Sequence, residues 1–286
     1  MAILYLGLGI SSLIVVHKTR LATETQLRQQ VLSWWRIFPV MSACLYVYPY
    51  TALLLTLIIS GLVMRELALL YNGKKGIFLL TCLVTLGLII SLSYFSPFNI
   101  FFSIPTLLII YCLFFWLRQS TNSLLFLLFF VSCYGISFLI RIEYLPFTEQ
   151  TNQTWLFYLL TITALNDVAQ FVIGKAFGTK KIAQRISPNK TWQGLGGGLV
   201  VSLLVSVSLG HYLHLTGIFY LLSLALLLSL GGFSGDLLFS AAKRFLGIKD
   251  FSQLIPGHGG ILDRVDSLVI TAPLLYITIY FLHIGF

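Results

Sequence analysis

TWLFYLLTITALNDVAQFVIGKAFGTKKIAQRISPNKTWQGLGGGLVVSLLVSVSLGHYLH, residues Thr154–His214, sets two long apolar runs, 154–174 and 193–214, around a basic segment. Each run is long enough to cross a hydrocarbon core of about 30 Å as a helix. Neither alternates apolar and polar residues as a barrel strand does. The same pattern recurs at 1–16, 37–70, 76–95, 98–117, 123–142, 217–239 and 265–284. Of the 286 residues, 58% are hydrophobic and 9% charged, whereas a soluble domain carries roughly 25% charged residues. So few charges cannot cover a water-facing surface. A soluble enzyme, a disordered chain and a secreted disulfide scaffold are excluded. The expected fold class is all-α, a polytopic integral membrane protein.

Segment 37–70 has 34 residues, about 51 Å of helix at about 1.5 Å per residue, and contains Pro49. It reads as two short spans, or one span and a re-entrant piece, giving nine or ten transmembrane helices. Basic residues cluster at Lys18, Arg20, Arg28 and Arg36; at Lys74 and Lys75; from Lys175 to Lys190; and from Lys243 to Arg264. The 143–153 loop has none and carries Glu143 and Glu149. Ten crossings place all four clusters in the cytoplasm and that loop outside, as the positive-inside rule requires; Arg141 alone sits awkwardly. Thr23–Arg36 reads as an interfacial amphipathic helix, and 1–16 as a retained first span. Three regions follow: 1–75 with the N-terminal spans and interfacial helix, 76–150 with the middle spans, and a C-terminal catalytic region, 151–286. Cys44, Cys82, Cys112 and Cys133 lie in apolar stretches and read as buried free thiols. The net charge of +9 points to cytoplasmic loops against anionic lipid, or to an anionic substrate, and not to nucleic acid.

The chemistry is concentrated late in the chain. All five aspartates, Asp167, Asp236, Asp250, Asp263 and Asp266, lie between 167 and 266, and the first 150 residues read mostly as packing material. Asp167 sits inside a span, where a carboxylate costs about 2.5–3.5 kcal/mol on insertion scales. It therefore faces either a polar cavity or a helix-stitching partner. In Ser187-Pro188-Asn189-Lys190-Thr191-Trp192, small donors and a lysine stand at a helix entrance, a suitable place for phosphate oxygens. The glycines that follow serve a phosphate or close helix packing equally well. In residues 235–267, Asp236, Ser240 and Lys243 fall at i, i+4 and i+7 on one helix face. His258 is bracketed by glycines, and Asp263 and Asp266 open the last span. Carboxylates suit Mg²⁺, and Mg²⁺ with Lys and Arg neutralises phosphates. No zinc-type His/Cys spacing and no GxSxG, Walker A or HExxH pattern is present.

Residues 240–266 resemble the signature of the phosphatidate cytidylyltransferase (CDP-diacylglycerol synthase) family. The matching positions are Ser240, Lys243, Arg244, Lys249, Asp250, His258, Gly259, Gly260, Asp263, Arg264 and Asp266. Ala242 departs from the larger apolar residue the family prefers. Asn166–Gly178, Ser187–Trp192 and Gly235-Asp236-Leu237 also look like the family, and the form Asn166–Gln170 resembles a branch that includes less-studied paralogues. The resemblance implies condensation of CTP with phosphatidic acid to CDP-diacylglycerol and pyrophosphate, in a bacterial inner membrane with the site facing the cytoplasm. It implies Mg²⁺ held by Asp236 and Asp263, with room for a second, monovalent cation. Lys190, Lys243, Arg244, His258 and Asp266 are expected in catalysis. Asp167, Ser187, Thr191, Ser240, Lys249, Asp250 and Arg264 are expected to bind substrate. The lipid bilayer is the expected partner, and a homodimer is admitted. A CTP-using relative with another lipid (CDP-archaeol synthase or polyprenol kinase) and an anion transporter are the alternatives.

Overall fold

The computed structural model describes residues 50–95, 120–255 and 259–284, with Trp35, Pro39, Val47 and Tyr48. The expected spans at 1–16 and 98–117, most of the interfacial segment, Cys44, Cys112, the first basic cluster and His258 lie outside the described residues. Among the described residues, seven helices are long and apolar enough to cross a membrane. They are α1 (Thr51–Leu70), α2 (Lys75–Phe95), α3 (Thr121–Glu143), α4 (Glu149–Phe177), α5 (Trp192–Tyr212), α6 (Ile218–Phe245) and α7 (Leu262–Ile284). The fold is thus mostly helical, as expected. The basic segment between α4 and α5, read as a loop, departs from the all-α expectation. It folds as an antiparallel hairpin of β1 (Lys181–Ala183) and β2 (Ser187–Thr191), with Lys181 opposite Thr191 and Ala183 opposite Ser187.

Polar side chains start the helices. Ser120, Thr148 and Thr191 each accept a hydrogen bond from the backbone N–H three residues on, at 3.1–3.3 Å, so an orphan donor of α3, α4 and α5 is satisfied by its cap. α1 lacks a side-chain cap of its own. Instead Glu143, at the end of α3, accepts from Ala52 N at 2.9 Å.

α3 is the most enclosed span and packs on α1, α2 and α7; α7 packs in turn on α6, α6 on α5 and α5 on α4. Lipid supplies little apolar drive between helices, so small residues and internal hydrogen bonds decide these contacts. Asn166 Oδ1 accepts from Ser202 Oγ (3.1 Å) and Ser229 Oγ (2.8 Å), tying α4, α5 and α6 together. The glycine run of α5 serves packing. A Cβ on Gly194 would lie 2.7 Å from Gln170 O, and one on Gly198 would lie 2.4 Å from Gln170 Cγ. Cys82 and Cys133 are buried free thiols.

The connections sort by charge. Asn72, just past α1, exchanges hydrogen bonds with Asn122 at the start of α3. Tyr94, near the end of α2, meets Tyr144 just past α3 at 3.1 Å. The 71–74 turn, the hairpin and the 246–261 loop therefore share one face, and the 144–148 loop lies at the other. Among the described residues, Arg141 is the one Lys or Arg at that opposite end. Its oddity as a loop charge disappears, because it is 3% exposed, donates Nη2 to Leu92 O at 3.2 Å and stacks on Phe138 and Tyr276.

A Cβ on Gly135 of α3 would lie 2.1 Å from Val269 O of α7, while nothing lies within 4 Å of one on Gly61. Gly135→Val should cost about 1–3 kcal/mol through overpacking, read as a lower melting temperature in detergent. Gly61→Ala should leave that temperature unchanged or raise it. Equal behaviour of the two variants would contradict the close α3–α7 contact.

Candidate functional site

The site grows from α6. The i, i+4, i+7 spacing turns Asp236, Ser240 and Lys243 to one side, and each meets a partner there. Ser240 Oγ donates to Asp236 Oδ1 at 3.3 Å. Lys190 Nζ of β2 lies 2.5 Å from Asp236 Oδ2, donates to Gln170 Oε1 of α4 at 3.2 Å and rests over the Phe233 ring. Lys243 Nζ lies 2.7 Å from Asp263 Oδ1, with side chains only 11% and 5% exposed, and sits over Phe251. Asp263 Oδ2 accepts from Phe251 N and Gly260 N, both at 3.0 Å. Three segments far apart in sequence, β2, α6 and the start of α7, thus converge through two ion pairs.

Two further carboxylates lie within electrostatic range of this cluster. Asp266 of α7 is buried, accepts from Ser267 N at 2.8 Å and feels the charges of Asp236, Asp167 and Lys243. A Cβ on Gly235 would lie 2.5 Å from Asp266 O, so the glycine before Asp236 lets α6 and α7 close at this level. Asp167 of α4 feels Lys190, Asp236 and Arg264. Its Oδ1 is buried with no hydrogen-bond partner. The neighbours Asn166 and Asp167 thus divide the two roles foreseen for an intramembrane polar pair: Asn166 stitches helices, and Asp167 faces the charged cluster.

The other expected residues are placed as follows. Thr191 is the buried cap of α5. Ser187 is half-buried at the start of β2. Arg244 is exposed and donates to Ile186 O (3.1 Å) and Ile248 O (3.3 Å), pinning the hairpin to the end of α6. Lys249, Asp250 and Arg264 are exposed at the same face. Lys180 and Lys181 are exposed, just before and at the start of β1, and neither is a member of the two ion pairs.

Two residues were missed. Gln170, buried on α4, orients Lys190. Glu66 of α1 is 1% exposed and accepts from Ser252 Oγ (2.5 Å), Ile261 N (2.6 Å) and Leu262 N (3.0 Å). The reading of the first 150 residues as mostly packing is corrected here, since α1 holds the loop that leads into α7. The signal was a carboxylate within an apolar run, weaker here than at Asp167.

The donor set fits a hard divalent cation. Asp236 and Asp263 already hold ammonium groups, and Asp167 Oδ1 has no partner. Among the described residues no group of three or more His, Cys, Asp or Glu side chains forms a metal cage.

The described helices and hairpin bring two lysine–carboxylate pairs together at one face. Residues 28–282 match the cytidylyltransferase family, and the chain belongs to it. It is 38% identical over 161 residues to the phosphatidate cytidylyltransferase of Staphylococcus aureus strain COL, covering 56% of this chain and 60% of the relative. It is 40% identical over 129 residues to that of Bacillus subtilis strain 168, covering 45% of this chain and 48% of the relative. It is also 38% identical over 157 residues to the uncharacterized protein YnbB of Escherichia coli K12, covering 54% and 53%. The chain thus spans about half to three-fifths of the length of these relatives.

Removing one member of a buried pair strands the other, at about 3–5 kcal/mol. Lys243→Met should lower the melting temperature in detergent. Adding Asp263→Asn, which keeps acceptors for Phe251 N and Gly260 N, should recover much of the loss. A double variant less stable than Lys243→Met alone would contradict the pairing.

Proposed function

We propose that the chain is a phosphatidate cytidylyltransferase of the bacterial inner membrane, with its site at the cytoplasmic face. A phosphate oxygen of phosphatidic acid attacks the α-phosphorus of CTP. The bond from that phosphorus to the oxygen bridging to the β-phosphate breaks, and pyrophosphate leaves as CDP-diacylglycerol forms. The observation that carries this reading is the pair of carboxylate-held lysines, Lys190 with Asp236 and Lys243 with Asp263, in a chain of this family. The basic connections sharing one face support this orientation.

The lipid supplies its own nucleophile, so the protein contributes alignment and charge neutralisation, as in phosphoryl transfer generally. Lys190 and Lys243 neutralise phosphate oxygens, and the rings of Phe233 and Phe251 lie against their ammonium groups. Ser240 and Ser187 donate hydroxyls. Asp236 and Asp263 would hold Mg²⁺, with Asp167 and Asp266 as the carboxylates behind them. When bound, the metal supplies positive charge to the triphosphate. Arg244 also ties the hairpin to the end of α6, alongside the catalytic role expected of it.

Purified protein in detergent with labelled CTP, phosphatidic acid and Mg²⁺ should yield labelled CDP-lipid and pyrophosphate. CDP with a phosphorylated lipid would instead identify a kinase. Asp263→Asn should insert normally and lose turnover by about 10²–10³; near wild-type activity at limiting Mg²⁺ would refute its metal role.

The lysines separate by position. Lys190→Gln should cost orders of magnitude in rate, because it removes a phosphate contact used in the transition state. Lys180→Gln with Lys181→Gln should stay within several-fold, since solvated charges contribute under about 1 kcal/mol. Equal losses would make the basic residues a collective field and remove support for Lys190 as a ligand.

A further inference from the structure

We infer that Glu66 is a positioning residue that frees Asp263 for the site by taking over the start of α7. The first N–H groups of a helix have no partner within it, and a carboxylate in the first turn is drawn to them. Asp263 is such a carboxylate. It takes only one of the three successive N–H groups at 260–262, that of Gly260. Glu66, reaching across from α1, takes those of Ile261 and Leu262 and also holds Ser252 Oγ. Asp263 Oδ1 is thereby left for Lys243.

The two glycines before α7 record this arrangement. Gly259 has φ +87°, in the left-handed region that favours glycine, and it is bridged to Ile255 by two backbone hydrogen bonds. Gly260 is glycine for a different reason. A Cβ there would lie 2.8 and 2.9 Å from the Glu66 carboxylate oxygens and 3.1 Å from Asp263 Oδ2. The backbone is bare where two carboxylates close over it, and a methyl group at 260 would have to push one of them away.

Glu66 therefore acts on the metal and phosphate chemistry through Asp263. The inference rests on the proposed reaction for its kinetic readout, and a structural readout is independent of it. Hydrogen exchange on the detergent-solubilised protein, without nucleotide or metal, should show residues 251–255 and 259–262 protected in wild type. In the isosteric Glu66→Gln, protection there should fall while the middle of α7 keeps its own. Mn²⁺ binding followed by electron paramagnetic resonance, and the Mg²⁺ concentration for half-maximal turnover, should both weaken by roughly 10–100-fold, the usual cost of losing a partner behind a metal ligand. The KM for phosphatidic acid should change little. Gly260→Ala should reproduce these changes, and Glu66→Ala with Gly260→Ala should be no worse than the worse single variant, because both disturb one contact. Unchanged exchange at 251–255 and 259–262 would overturn the inference. So would a lower kcat with an unmoved Mg²⁺ midpoint, which marks a merely structural role, or additive losses in the double variant. If wild type makes no CDP-lipid, the reaction is wrong, and exchange and Mn²⁺ binding still decide the role of Glu66.

Discussion

The ion pair between Lys243 and Asp263 is the interaction on which the rest of the site is arranged. With both side chains nearly closed off from water, neither charge is tolerable alone, and the pair is stable only if its remaining hydrogen-bonding capacity is used. Asp263 meets that demand with Phe251 N and Gly260 N, so two described stretches of the loop before α7 are tied to one carboxylate. The Phe251 ring lies beneath the ammonium group and packs edge-on against Phe239. Lys190 and Asp236 repeat the device on the hairpin side. α6 is common to both pairs, and the helical repeat that separates Asp236 from Lys243 sets the distance between the hairpin and the loop.

Much of this was legible because it is local. The i, i+4, i+7 face of α6 and the acidic opening of α7 can be read from spacing alone, and the bias of basic residues predicts which connections share a face. The hairpin was not legible. β2 is five residues containing Pro188, without the alternation that marks a strand, and it exists because Lys181–Ala183 pairs with it. Glu66 was harder still. Its partners are 186 to 196 residues away, and no local pattern encodes a contact at that range. The clue was a carboxylate within an apolar run, weaker for Glu66 than for Asp167 because Glu66 follows Arg65 and stands four residues from the end of α1.

The interior explains how a bundle in lipid holds such a site still. Where apolar contact gives no preference for protein over lipid, hydroxyls and amides that satisfy one another fix the helix positions. Asn166 with Ser202 and Ser229 is one such knot, and Thr163 with Thr271 joins α4 to α7. Tyr158 with Ser206, and Ser206 with Leu221 O, join α4, α5 and α6. The first of these lies one residue from Asp167. The carboxylate without a hydrogen-bond partner at Oδ1 is therefore carried on the most firmly tied part of α4, and it is held in place by its neighbour's bonds.

Self-neutralisation also limits what the site accepts. Asp167, Asp236, Asp263 and Asp266 face Lys190, Lys243 and Arg264, so the charges largely cancel before any ligand arrives. A bare anion that drew the lysines to itself would strand carboxylates at a depth where an unpaired charge costs several kcal/mol. A polyanion accompanied by its own cation strands nothing, because each side of each pair finds a new partner of the right sign. A pathway for free anions needs uncompensated positive charge along its length, and this arrangement has the opposite character. In the proposed reaction, the pairing that allows these residues to fold beside the membrane would also favour a metal-accompanied phosphate ester over a simple anion.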